Sequence, residues 1–285
     1  MMTDKKREAL TAAGVFGLIG DAAEYAYDYL EQFGWLSAPG VKSLSDAVES
    51  FQTFTHGSLA VDGILGPKTL AVMRLPRCGV SDHARQGGQL NKWAHDFRGG
   101  ESLTYQFQNF LPNISRADQT DCAQLWYDLW SQYGGVKARP ARSGEHVNVL
   151  IAFSSRRVDE FGRPGGVLAW HELPQGVYSK RGQLLFRFDA SEPWYVRKDQ
   201  LGQNLLGTGC HEAGHGWGID HGGDGLMQPF AVNGIDEPRP GYDREQIALR
   251  YGGPLDGAKP TDDTIEVLAR TMSGVRYEGV LERRA

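Results

Sequence analysis

The sequence is poor in cysteine, with three in 285 residues, at positions 78, 122 and 210. An odd, scattered set offers no disulfide framework and leaves at least one thiol free. There is also no apolar run approaching the roughly 20 residues that a membrane-spanning helix needs. Blocks of basic residues are absent and the net charge is −5, which removes the electrostatic footing for nucleic-acid binding. The opening residues, Met1-Met2-Thr3-Asp4-Lys5-Lys6-Arg7-Glu8, are charged, and the short Ala/Gly/Val/Phe stretch behind them soon meets Asp21 and Glu24. No secretory signal is legible there, and the compartment is left open. What remains is an ordinary globular composition, 40% apolar and 23% charged, with a length that suits about two domains.

The chemistry concentrates at His211-Glu212-Ala213-Gly214-His215-Gly216-Trp217-Gly218-Ile219-Asp220-His221, which reads H-E-x-x-H-x-x-G-x-x-H. On a helix, His211 and His215 leave the same face one turn apart. Glu212 stands beside them, within reach of a metal-held water without being a ligand. Gly218 lets the chain leave the helix and turn, which brings His221 round as a third nitrogen donor. Three protein ligands leave one position of a tetrahedral zinc open, the mark of a catalytic site. Met227, in Gly225-Leu226-Met227-Gln228-Pro229, follows as the methionine of a metzincin Met-turn.

Upstream, three short amphipathic helices are expected. Ala22, Ala26, Tyr29, Leu30 and Phe33 mark the first, ending at Gly34; Leu44, Ala47, Val48, Phe51 and Phe54 mark the second, capped by Ser43 or Ser45. The third begins at Pro67, after an Asp62-Gly63 turn, and carries Leu70, Val72 and Met73. Phe33-Gly34-Trp35-Leu36, Phe51-Gln52-Thr53-Phe54 and Val61-Asp62-Gly63-x-x-Gly66-Pro67-x-Thr69 resemble the peptidoglycan-binding-like domain. That resemblance implies either a module for cell-wall glycan or, as in matrix metalloproteases, a propeptide. A folded spacer without a ligand is the plainer alternative.

Directly after the helices comes Pro76-Arg77-Cys78-Gly79-Val80-Ser81-Asp82. A thiolate is a strong zinc ligand, so Cys78 could fill the open position in a latent form. Arg77 and Asp82 are spaced to pair around the loop. Cys122 and Cys210, on helical apolar positions, read as buried small hydrophobes. The heptad resembles the matrixin cysteine switch, and with the zinc motif it makes the chain similar to a latent matrixin over about residues 34–253. Activation cleavage, by another protease or by the enzyme itself, is expected in the polar, glycine-containing stretch between Asp82 and Trp93.

The fold expected is α+β: a three-helix bundle over 1–75, a switch segment and activation linker over 76–100, a metzincin catalytic domain with a mixed twisted sheet and three helices over 101–253, and a tail of unknown role over 254–285. Strands are read at 103–108, 147–153, 166–170 and 184–188, with a long helix whose stripe runs Cys122, Leu125, Trp126, Leu129, Trp130 and Tyr133. The edge strand near 166–170 would pair with an extended peptide substrate. A last helix begins at Tyr242. The resemblance implies an S1′ wall at Pro229 and Phe230.

Departures from the family pattern are equally specific. The positions for a second, structural zinc hold Ser155, Arg157, Trp170 and Arg187, with His171 as a lone neighbour, so one catalytic zinc is expected. Arg187 is expected to pair instead with Asp159 or Glu172. Phe188-Asp189-Ala190-Ser191-Glu192 resembles a calcium-binding stretch, making Asp189 and Glu192 calcium candidates, although Gly162 replaces the expected upstream aspartate. The function expected is peptide-bond hydrolysis by a zinc-held water with Glu212 as general base, the partners being a protein or peptide substrate and an activating protease. The alternative is a cell-wall-binding protein or wall-peptide hydrolase. The family resemblance implies an extracellular or cell-envelope setting.

Overall fold

The computed structural model describes residues 6, 11, 21–83, 90–95, 97–154, 161, 165–174, 182–196, 201–231, 236–254, 269–270 and 276–277. Three helices come first: α1 (Asp21–Gln32), α2 (Leu44–Phe54) and α3 (Pro67–Met73). Ser43, not Ser45, caps α2. Its hydroxyl accepts from Asp46 N while the Asp46 carboxylate takes the Ser43 N–H, a reciprocal capping box. Ser45 instead donates to Gly63 O. Pro67 occupies the first turn of α3, where its missing N–H costs nothing. Ala26, Leu30, Phe33, Trp35, Ala47, Val48, Phe51 and Met73 close into one core, with Val167 and Phe161 of the following unit packed on it.

The second unit is built on a six-stranded sheet in the order β1-β5-β6-β4-β2-β3. Its strands are β1 (Arg77–Cys78), β2 (Leu103–Phe107), β3 (Ala138–Pro140), β4 (Val149–Ser154), β5 (Val167–His171) and β6 (Leu184–Asp189). Only β5 runs against its neighbour β6; every other pairing is parallel. Two short strands, β7 (Trp194–Tyr195) and β8 (Gln203–Asn204), pair apart from this sheet, as do β9 (Ala269–Arg270) and β10 (Arg276–Tyr277).

The helix α4 (Arg116–Gly134) packs behind the sheet and against α5 (Leu205–Gly216) and α6 (Tyr242–Tyr251). It starts at Ser115, whose hydroxyl accepts from Asp118 N at 3.0 Å, and ends at Gly135 in the left-handed region. Trp126 and Trp130 on α4 are fully enclosed among Phe186, Phe188, Cys210 and Met227. The core also takes in Trp93 and Phe97, upstream of β2. Truncating any of these large aromatics to alanine would cost about 3–5 kcal/mol. Among the described residues, no helix is long and apolar enough to cross a membrane.

Candidate active site

α5 is a helix because Asn204 caps it, accepting from Leu206 N at 3.1 Å, and because its leucines and small residues pack on α4. Its glycines are places of contact. A Cβ on Gly209 would lie 2.0 Å from the Trp126 indole, and one on Gly214 would lie 2.5 Å from Met227 Sδ. The helix ends at Gly216, and Gly218, at φ 89°, turns the chain so that His221 comes back over His211 and His215. A Cβ there would meet Asn91 O at 2.1 Å, so the turn needs glycine for space as well as for angle.

His215 Nε2 lies 3.2 Å from His211 Nε2 and 3.2 Å from His221 Nε2, with Cys78 Sγ 3.4 Å away. All four donor atoms lie within 4.8 Å of one another and all four side chains are buried. Zinc–nitrogen bonds of about 2.0–2.1 Å set tetrahedral nitrogens about 3.3 Å apart, so the donor set fits zinc in both chemistry and spacing. The ring nitrogens on the far side are engaged: His211 Nδ1 faces Leu226 O at 2.6 Å and His215 Nδ1 faces Ile219 O at 2.7 Å. Burial pushes the His211 pKa down to about 3 and that of His215 well below the ordinary value, which keeps both neutral and free to bind a metal. Glu212 is fully buried, and burial raises its carboxyl to about 8. Met227 is fully enclosed against Gly214, its N–H donating to Asp243 Oδ1 at 3.1 Å. Asp243 also accepts from Leu226 N and Arg239 N, so one buried carboxylate holds the whole turn.

Cys78 reaches the cluster by strand addition. Arg77 and Cys78 pair in parallel with Val167 and Ala169 on the free edge of β5, and Arg77 bridges Phe230 on the other side. The segment thus fills the groove between β5 and the Pro229–Phe230 wall. Arg77 is buried with its guanidinium 3.4 Å above the Phe33 ring, hydrogen-bonded to Tyr29 and paired with Asp82 at 2.7 Å. Burial raises the Cys78 thiol well above its ordinary pKa. Phe51 meets Phe230 edge-on at 6.5 Å, so the helical unit also covers the wall. A cleft continues behind the wall, lined by Leu168, Asn204, Gly207, Thr208, His211 and Leu226.

The matrixin family profile matches residues 92–252, a stretch that holds every histidine of the cluster, Glu212 and Met227. The chain belongs to the matrixin family. Its relatives include human matrix metalloproteinase-27, 33% identical over 260 residues, covering 85% of this chain and 48% of that one. Rabbit macrophage metalloelastase is 28% identical over 263 residues, 86% of this chain and 54% of that one. Rabbit interstitial collagenase is 28% identical over 252 residues, 83% and 51% respectively. This matrixin spans about half the length of the curated relatives it matches. Its catalytic unit is of the metzincin zinc-metalloendopeptidase type.

Other expected sites fare differently in the matrixin's structure. Asp189 and Glu192 lie on the turn that closes β6; Asp189 Oδ1 accepts from Ser191 N at 2.8 Å and Glu192 Oε1 from Gly165 N at 2.7 Å. Ser155, Arg157, Asp159 and Gly162 fall outside the described residues, as does most of the expected cleavage stretch, 84–89. Arg187 donates to Leu150 O and Phe186 O, and His171 turns Nδ1 to Glu172 O at 2.6 Å. Cys122 and Cys210 are buried and free, each fully enclosed. Sequence reasoning missed Asp243 and the contact of Asp82 with His221 Nδ1 at 2.7 Å. No local pattern signals either, because each acts across the fold.

Proposed function

We propose that the chain is a latent zinc-dependent endopeptidase in which His211, His215 and His221 hold the metal, Glu212 is the general base, and Cys78 blocks the fourth position. The observation that carries the reading is Cys78 Sγ beside His215 Nε2, delivered by a strand laid along the edge of β5. Bound zinc supplies Lewis acidity toward the scissile carbonyl and makes the attacking water acidic at neutral pH. Glu212, fully buried, takes the proton of that water and returns it to the departing amine. Once β1 leaves, β5 offers its free N–H and C=O groups to an extended protein or peptide substrate. Pro229 and Phe230 then form the S1′ wall, with the cleft behind them for a side chain.

Cleavage between Asp82 and Trp93 frees the segment with the three helices, whose domain role is that of a prodomain rather than a glycan-binding module. Their apolar faces support this reading, being turned to Val167 and Phe230 of the catalytic unit. The alternative, a helical unit that binds cell-wall glycan, is tested by a pull-down with purified wall. Calcium at Asp189 and Glu192 is also part of the proposal, for the two carboxylates stand three residues apart where β6 ends. The decisive variant is Glu212→Gln. It should keep its zinc and lose turnover by about 10²–10⁴-fold; undiminished hydrolysis in that variant would remove Glu212 from the mechanism.

A further inference from the structure

Of the three histidines, two find the acceptor for their second ring nitrogen within the catalytic unit, in the carbonyls of Leu226 and Ile219. His221 does not. Its Nδ1 lies 2.7 Å from Oδ1 of Asp82, a carboxylate on the same segment as Cys78. The Asp82 side chain is wholly enclosed, as is that of His221. The same oxygen takes Arg77 Nη2 at 2.7 Å, and Oδ2 accepts from Trp35 Nε1 at 2.9 Å. Asp82 N also donates to Phe33 O at 3.1 Å. One carboxylate therefore joins a candidate metal ligand, the blocking strand and the N-terminal helices.

A histidine that binds metal through Nε2 carries its proton on Nδ1. A carboxylate receiving that proton fixes the tautomer, holds the ring and raises its basicity. We infer that Asp82 is a positioning residue for zinc: the docked segment strengthens metal binding through His221, and bound zinc in return holds the segment down. Thermodynamic linkage makes the two effects equal in factor. This coupling is separate from the sulfur, since it runs through a nitrogen on the far side of the imidazole. When the segment leaves, the metal site loses one donor and also the support of another. The released catalytic unit accordingly holds zinc more weakly than the docked chain does, beyond what loss of Cys78 explains. The inference rests on the zinc reading of the three histidines.

The test is carried out on the full, uncleaved chain in a Cys78→Ala background, so that sulfur plays no part. Zinc affinity is measured by competition with a chelating dye. Adding Asp82→Asn should weaken binding by about 10-fold or more, the range found when a carboxylate behind a metal-binding histidine is lost. Adding Arg77→Gln instead removes the ion pair of the strand but leaves the carboxylate on His221, and should weaken zinc binding by less than Asp82→Asn does. Equal losses in the two variants would mean that Asp82 only anchors the segment, and would overturn the proposal. An unchanged affinity in Asp82→Asn would overturn it as well. The spectroscopic counterpart is the His221 Nδ1–H resonance of the zinc-loaded chain, which should move upfield in Asp82→Asn while those of His211 and His215 stay. A resonance that does not move contradicts the hydrogen bond. A Cys78→Ala chain that takes up no zinc overturns the zinc reading itself, an outcome distinct from the others.

Discussion

Gly209 sits on α5 one turn of contacts away from chemistry, two residues before His211, and has no polar role. Replacing it with alanine tests whether the zinc helix is held by close packing or by its own helical preference. Helix propensity alone favours alanine over glycine by about 1 kcal/mol. Against that, the new Cβ would lie 2.0 Å from Cε2 and 2.4 Å from Cζ2 and Nε1 of Trp126. Ordinary carbon contacts are about 3.5–4.0 Å, so something must move by about 1.5 Å. The indole cannot yield easily. It is fully enclosed and lies 5.4 Å, centroid to centroid, from both Phe186 and Phe188. Overpacking of this kind costs about 1–3 kcal/mol and often more where a ring is fixed. The clash should win, leaving Gly209→Ala less stable by up to about 2 kcal/mol after the helical gain. Displacement of α5 should also spread His211 and His215 and weaken zinc binding. The assay is denaturant unfolding of metal-free and zinc-loaded chain, read against the wild type. A variant that gains about 1 kcal/mol, as propensity alone demands, would refute the packing account of this helix.

Cys78→Ala in the uncleaved chain should raise peptidase activity above that of the intact wild type yet below that of the cleaved chain, because Arg77 and Gly79 still line β5. Activity equal to that of the cleaved chain would mean that the strand itself blocks nothing. The metal-free chain should lose stability in acid: His211 is held near 3 when folded and titrates near 6.5 when unfolded, so the stability present above pH 6.5 is lost as pH falls toward 3. At about 1.4 kcal/mol per pKa unit the loss from that residue approaches roughly 5 kcal/mol by pH 3. Denaturant midpoints measured from pH 7 to pH 4 check the sign, and a flat profile would contradict the buried, neutral imidazole.

What the sequence discloses here is local. Helical spacing located α1, α2 and α4, and the position of Pro67 located the start of α3, because side-chain periodicity and caps act over a few residues. The candidate metal cluster was legible because His211 and His215 stand one helical turn apart and Gly218 announces the return of His221. The resemblance of Pro76–Asp82 to a switch pointed Cys78 at the same centre. The route was not legible: nothing in Arg77-Cys78 marks a strand, and β1 exists only because β5 has a free edge. The hydrogen bond between Asp82 and His221 spans 139 positions, and Asp243 supports Met227 from a later helix. Such contacts are set by tertiary packing: Asp82 and His221 each belong to a motif, but neither motif says that the two meet. The same holds for Gly209, whose lack of a side chain is explained only by the indole lying against it.

The measurement that bears most directly on the account is zinc content together with peptide hydrolysis, taken before and after limited proteolysis between Asp82 and Trp93. The account predicts bound zinc in both states, with hydrolysis appearing only after the cut. Cleaved chain that holds zinc with its segment gone and still hydrolyses no peptide, or intact chain that is equally active, would contradict it.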